Sequence, residues 1–152
     1  MQMLFRRAFL AVELVLLISL ASNAVADDLT IWHVKAVHPE GFLLNVKALD
    51  QSGGIHDVKA FEEDGNRHLM DVKALMGGKR IPVKILVSDD AYAPVKAIAD
   101  DGTILDIKVL TPEGKKLDVK GVRRSGSIIH IKAIAPDGRF YGIKAIWASF
   151  TM

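Results

Sequence analysis

Residues 104–122, ILDIKVLTPEGKKLDVKGV, read as a strand, a turn and a second strand. In the second half Leu117, Val119 and Gly121 fall on one face of an extended chain, and Asp118, Lys120 and Val122 on the other. A helix would set valine and lysine at neighbouring angles, and the recurrent glycine and proline would break it. Pro112-Glu113-Gly114 suits a three-residue hairpin loop. Proline and the acid take the centre of a type I turn, and glycine the left-handed position that makes a bulge. Centred on Glu113, that loop sets Ile107 opposite Val119, Val109 opposite Leu117 and Lys108 opposite Asp118. Such cross-strand pairs contribute about 0.2–1 kcal/mol each.

The same pattern runs along the chain. Ten lysines follow a Val or Ile: Lys35, Lys47, Lys59, Lys73, Lys84, Lys96, Lys108, Lys120, Lys132 and Lys144. They are spaced by 12 residues, except for one step of 14 and one of 11. A period this regular is the signature of a repeat architecture. Pro39-Glu40-Gly41 and Pro136-Asp137-Gly138 repeat the loop chemistry, and the latter sets Ala133 opposite Tyr141 and Lys132 opposite Gly142. The short step turns at Gly77-Gly78 and sets Val72 opposite Val83. The long one, looping around Gly65, sets Lys59 opposite Asp71. Neither irregular step turns the later strands inside out, as a one-residue slip would. Each unit is therefore one strand of an antiparallel meander, not one turn of a solenoid.

Ten strands with one apolar face must bury it, in a closed up-and-down barrel or in a β-sandwich folded about strands five and six. The barrel removes unpaired edges. The sandwich draws support from Pro82 and Pro94, and from a register that adds almost no stagger, whereas a barrel needs shear. The barrel is the favoured architecture. A membrane-spanning barrel is rejected. It needs strands of about 9–11 residues and an apolar band ~25 Å tall, and three apolar residues per strand give roughly 14 Å.

Residues 1–26, MQMLFRRAFLAVELVLLISLASNAVA, read as a signal peptide. Arg6 and Arg7 precede an apolar run, and Ala24-Val25-Ala26 is a small-x-small cleavage site that leaves Asp27 first. The Arg pair also suits twin-arginine export. Residues 27–152 then form a single periplasmic or secreted domain. The full chain of 152 residues is 50% hydrophobic with 7% aromatics, so a core of Val, Ile, Leu and Ala is available. Its net charge of +2 creates no field for nucleic acid. With no cysteine, thiol catalysis and Cys-based metal sites are excluded.

The lysine row is the most conspicuous chemical feature. Lys47, Lys59, Lys96 and Lys108 are expected opposite Asp57, Asp71, Asp106 and Asp118, a solvated and self-neutralised face. Lys73 and Lys84 are expected opposite Pro82 and Pro94, Lys120 opposite His130, Lys132 opposite Gly142 and Lys35 opposite Asn45, while Lys144 faces no strand. Lys73, Lys84, Lys120 and Lys132 are accordingly the candidate anion-binding residues. The five histidines have no metal-ligand spacing, no nucleophile–base order is present, and no cofactor is implied. Trp32 and Trp147, in the first and last units, are read as caps on the sheet ends.

The Val-Lys-Ala units over residues 31–147 resemble those of uncharacterised exported bacterial proteins classed as domains of unknown function. That resemblance implies no activity. Three functions are carried forward. The first is a non-enzymatic module binding a partner or envelope component through its sheet surface. The second is a carrier of an anionic or lipid ligand in a barrel interior, and the third a hydrolase of envelope polymers. The side to which the alanines after each Lys point is expected to separate the first two: alanines filling the centre would mean a packed interior and no carrier.

Overall fold

In the computed structural model, residues 29–63, 69–123, 126 and 128–147 are described. The signal segment and its cleavage site lie outside them. Ten strands follow one another: β1 (Leu29–Val37), β2 (Leu43–Leu49), β3 (Ile55–Glu63), β4 (Asp71–Met76), β5 (Lys79–Ile85), β6 (Tyr92–Ile98), β7 (Ile104–Leu110), β8 (Lys116–Arg123), β9 (Ile129–Ile134) and β10 (Phe140–Trp147). All pairings are antiparallel, and β1 meets β10, so the sheet closes into a barrel. Trp32 and Trp147 stack edge to face at that seam with centroids 4.7 Å apart. They join the first and last strands rather than capping two free ends. Lys144, expected to face no strand, lies opposite Lys35.

Five hairpins use the three-residue loop with a glycine bulge. His38, Asp50, Ala99, Thr111 and Ala135 each accept from a glycine N–H three residues on, and each donates to the carbonyl of the residue after it. The glycines have φ between 84° and 98°, a region that a side chain makes costly. These hairpins hold the expected register: Lys47 faces Asp57, Lys96 faces Asp106, Lys108 faces Asp118 and Lys132 faces Gly142.

The other long connections slip by two residues. Lys59 lies opposite Lys73 and not Asp71, Lys84 opposite Lys96 and not Pro94, and Lys120 opposite Lys132 and not His130. A slip of two keeps every side chain on its face, so the core pattern survives while the charge pairing does not.

Carried through all ten strands in turn, the observed registers bring Lys35 back to Lys35, a barrel without shear. Closure needs shear. The chain supplies it by taking β2 and β7 out of the ring. The outer halves of β1 and β3 pair directly, Trp32 with Ala60, and those of β6 and β8 likewise, Ala93 with Gly121. β2 and β7 pair with each other, Lys47 facing Lys108. Both β1 and β3 run antiparallel to β2, yet antiparallel to one another in their outer halves. They must therefore turn away from β2, leaving β2 and β7 as a floor across one end of an eight-strand ring.

Around that ring, Trp32 leads to Ala60, Val72, Val83 and Ala97, four residues past Ala93. Ala93 leads to Gly121, Ile131, Ile143 and Ala36, four residues past Trp32. The two halves, β1–β5 and β6–β10, are thus related by a pseudo-two-fold axis through the floor. Each contributes half the stagger.

The inward face is apolar through the middle of each strand, with Thr30 and Glu62 on the same face toward the far end of β1 and β3. Ala36, Ala48, Ala60, Ala74, Ala97 and Ala133 are at most 1% exposed, while Ala145 is exposed. Val34, Val46, Val58, Val95, Ile107 and Val119 are buried beside them. In the ring, by contrast, Val72, Val83, Ile131 and Ile143 on β4, β5, β9 and β10 are only half-buried. The barrel is closed at its floor and open at the far end, where β3, β5 and β8 end and β4, β6 and β9 begin.

Candidate functional site

The residue before each of the ten lysines lines a single cavity of about 410 Å³. All ten are Val or Ile, and every strand contributes one. An eight-strand ring leaves room for side chains to fill or for one small ligand. Both occur here. The inward alanines are at most 1% exposed and none of them lines the cavity, so around them the interior is packed, as inward alanines were expected to make it. The open space is confined to the Val and Ile column and the residues at its mouth.

Met70, Asp71, Lys84 and Ile85 are the exposed residues bordering the cavity. They sit at the start of β4 and the end of β5 and mark its mouth. Lys73 also borders it, beside Pro82. Exposed Leu69, Val87, Ile128 and Ile129 extend the apolar rim around the same end.

The four candidate lysines divide. Lys73 and Lys84 border the cavity mouth. Lys120 and Lys132 are cross-strand neighbours on the outer face, with Pro94 and Gly142 on their far sides. None of the four has an ion pair among the described residues.

Two further lysines, Lys35 and Lys59, were not among those candidates, and among the described residues neither pairs with a carboxylate. Lys35 donates to the Asn45 amide oxygen, and Lys59 lies 2.7 Å from His33 Nδ1. Lys59 was hidden by the expected pairing with Asp71, which holds only in a register the chain does not adopt. Lys47, Lys96 and Lys108 do pair with Asp57, Asp106 and Asp118.

Where β1 and β3 part from β2, lysines converge. Hydrogen bonding from Lys47 holds the Asp57 carboxyl below its ordinary range, and Lys59 and Lys35 add to the effect through space. Burial lowers the Lys35 ammonium, and the charges of Lys59 and Lys47 lower it further. At the equivalent junction of the second half, Asp118 is lowered by its hydrogen bond from Lys108, with Lys120 and Lys96 nearby.

No three His, Asp or Glu side chains are grouped so as to hold a metal among the described residues. No described helix is long and apolar enough to cross a membrane.

Fold and cavity define a small all-β barrel with an apolar cup for an interior. The chain belongs to a family of unknown function (DUF7486), whose model matches residues 28–150. No curated protein and no solved structure matches it.

Proposed function

We propose that the protein is an exported, non-catalytic carrier that takes the hydrocarbon tail of a single-chain amphiphile into its cup and holds an anionic head at Lys84 and Lys73. The observation that carries this reading is the cavity: about 410 Å³, walled by ten β-branched residues and opening between two lysines that form no ion pair among the described residues. Ligand sites run to about 300–1,000 Å³, mostly apolar with a few polar groups that fix orientation. Export follows from the reading of residues 1–26 as a signal peptide. A carrier working outside the cytoplasm must shield a tail from water, and a fixed aliphatic wall does so without any reaction.

Titration with a fluorescent long-chain fatty acid tests it. One molecule should bind per barrel, more tightly as the tail lengthens. Val83→Phe, which narrows the cup from a half-buried wall position, should abolish binding. Lys84→Ala should weaken the acid while leaving the alcohol of equal chain length unchanged. Binding that ignores tail length, or none at all, contradicts the proposal.

A further inference from the structure

The pseudo-two-fold axis gives each lysine junction a built-in comparison. In the first half Lys35, Lys47 and Lys59 surround the gap where β1 and β3 leave β2. In the second half Lys96, Lys108 and Lys120 surround the gap where β6 and β8 leave β7. Asp57 and Asp118 occupy equivalent places and pair with Lys47 and Lys108. The remaining position differs: Asn45 stands where the second half has Asp106. Lys96 is therefore neutralised by a carboxylate, whereas Lys35 is held by an amide. Lys59 faces His33 where its counterpart Lys120 faces Pro94. The first junction thus gathers three ammonium groups around one carboxylate, and the second gathers three around two.

We propose that the first junction, formed by Lys35, Lys59 and Lys47 with Asn45 and His33 at its edge, binds a phosphate-type oxyanion. Such an anion accepts from several donors at once and suits a cluster of ammonium groups short of counter-charge. Among the described residues Lys35 and Lys59 bond to no carboxylate and share only Asp57, which already pairs with Lys47, and the fold sets them around one gap by making two strands diverge. The site lies on the face opposite the cup, because Lys35, Lys47 and Lys59 alternate with the cavity-lining Val34, Val46 and Val58. It stands or falls independently of the carrier reading.

The test exchanges the one residue that distinguishes the junctions. Amide and lysine ammonium resonances are followed by NMR while inorganic phosphate, and separately glycerol phosphate, is added to the wild-type protein, to Asn45→Asp and to Asp106→Asn. Saturable shifts confined to the first junction are expected in the wild type. The Asn45→Asp protein should bind about threefold to tenfold more weakly, the range of one added like charge near the site. The Asp106→Asn protein should gain a second set of shifts around Lys96, Lys108 and Lys120. Both variants place at one junction the residue the other already carries, so neither is foreign to the fold. Tighter binding of glycerol phosphate than of phosphate assigns the anion to a phosphorylated molecule, and the reverse to the free ion. Weak, unsaturating shifts at all lysines alike, or equal binding by all three proteins, overturn the proposal.

Discussion

Gly121 stands where seven of the ten repeat units carry alanine, and its missing side chain is occupied space. A Cβ there would lie 2.9 Å from Ile129 Cγ2 and 3.2 Å from Ile85 Cγ2. Ile129 comes from the neighbouring β9, and Ile85 from β5, which reaches Gly121 across β6 because β6 pairs directly with β8. Replacing Gly121 by Ala should therefore cost about 1–3 kcal/mol in a urea melt, the range for an overpacked site, although the repeat would make Ala look harmless. The faces themselves are tested one residue pair away. Val119 is 3% exposed, and Val119→Asp puts an unpartnered charge on the cup wall. That should cost several kcal/mol, about the whole margin of a small domain. Asp118→Ala breaks only the exposed pair with Lys108 and should cost under about 1 kcal/mol. Equal losses would mean that the faces are reversed.

Among the elements, hairpins with a tight loop and those without behaved differently. Where Pro-acid-Gly or its equivalents close a loop, two backbone hydrogen bonds lock one register, and reading that register needs nothing beyond the loop. Among the described residues, the β3–β4, β5–β6 and β8–β9 connections show no such pair of backbone bonds. Their registers are set by neighbouring strands, and each slips by two. That is why face alternation was legible along the whole chain while three of the nine expected lysine partners were not. The β2–β3 hairpin carries the strongest local fastening. Asp50 Oδ1 accepts from the Ser52 and Gly54 N–H groups at 2.9 and 2.8 Å, and Oδ2 lies 2.7 Å from His56 Nε2. Those bonds, His56 first, hold the Asp50 carboxyl well below the ordinary carboxylate range. A depressed carboxylate stabilises the fold above its unfolded pKa of about 3.9, and the gain is lost as pH falls through the folded value. Asp50→Asn should melt at lower temperature than the wild type at neutral pH, and the gap should close in strong acid. A gap that does not change with pH would show that the charge is irrelevant.

For the whole molecule, the decisive fact was hidden in plain arithmetic. The nine hairpin registers and the β1–β10 seam sum to no stagger, and a barrel cannot close without it. From the repeat alone the barrel was therefore favoured over the sandwich only by its protection of strand edges. The solution, two strands leaving the ring as a floor, depends on β2 meeting β7 some sixty residues away, a pairing that no local turn encodes. It also leaves the cup, because the Val and Ile column of the eight-strand ring borders open space while the alanines beside it are packed. An open apolar interior is thus the central claim, and it can be probed without knowing any ligand. Xenon enters dry apolar cavities of this kind. With methyl-labelled protein under xenon pressure, the methyl groups of Val83, Ile107, Val119 and Ile143 should shift saturably, while those of the outward Ile104 and Leu110 stay still. Unmoved methyl groups throughout the Val and Ile ring would mean that the interior is filled, and the cup would be contradicted together with the carrier it supports.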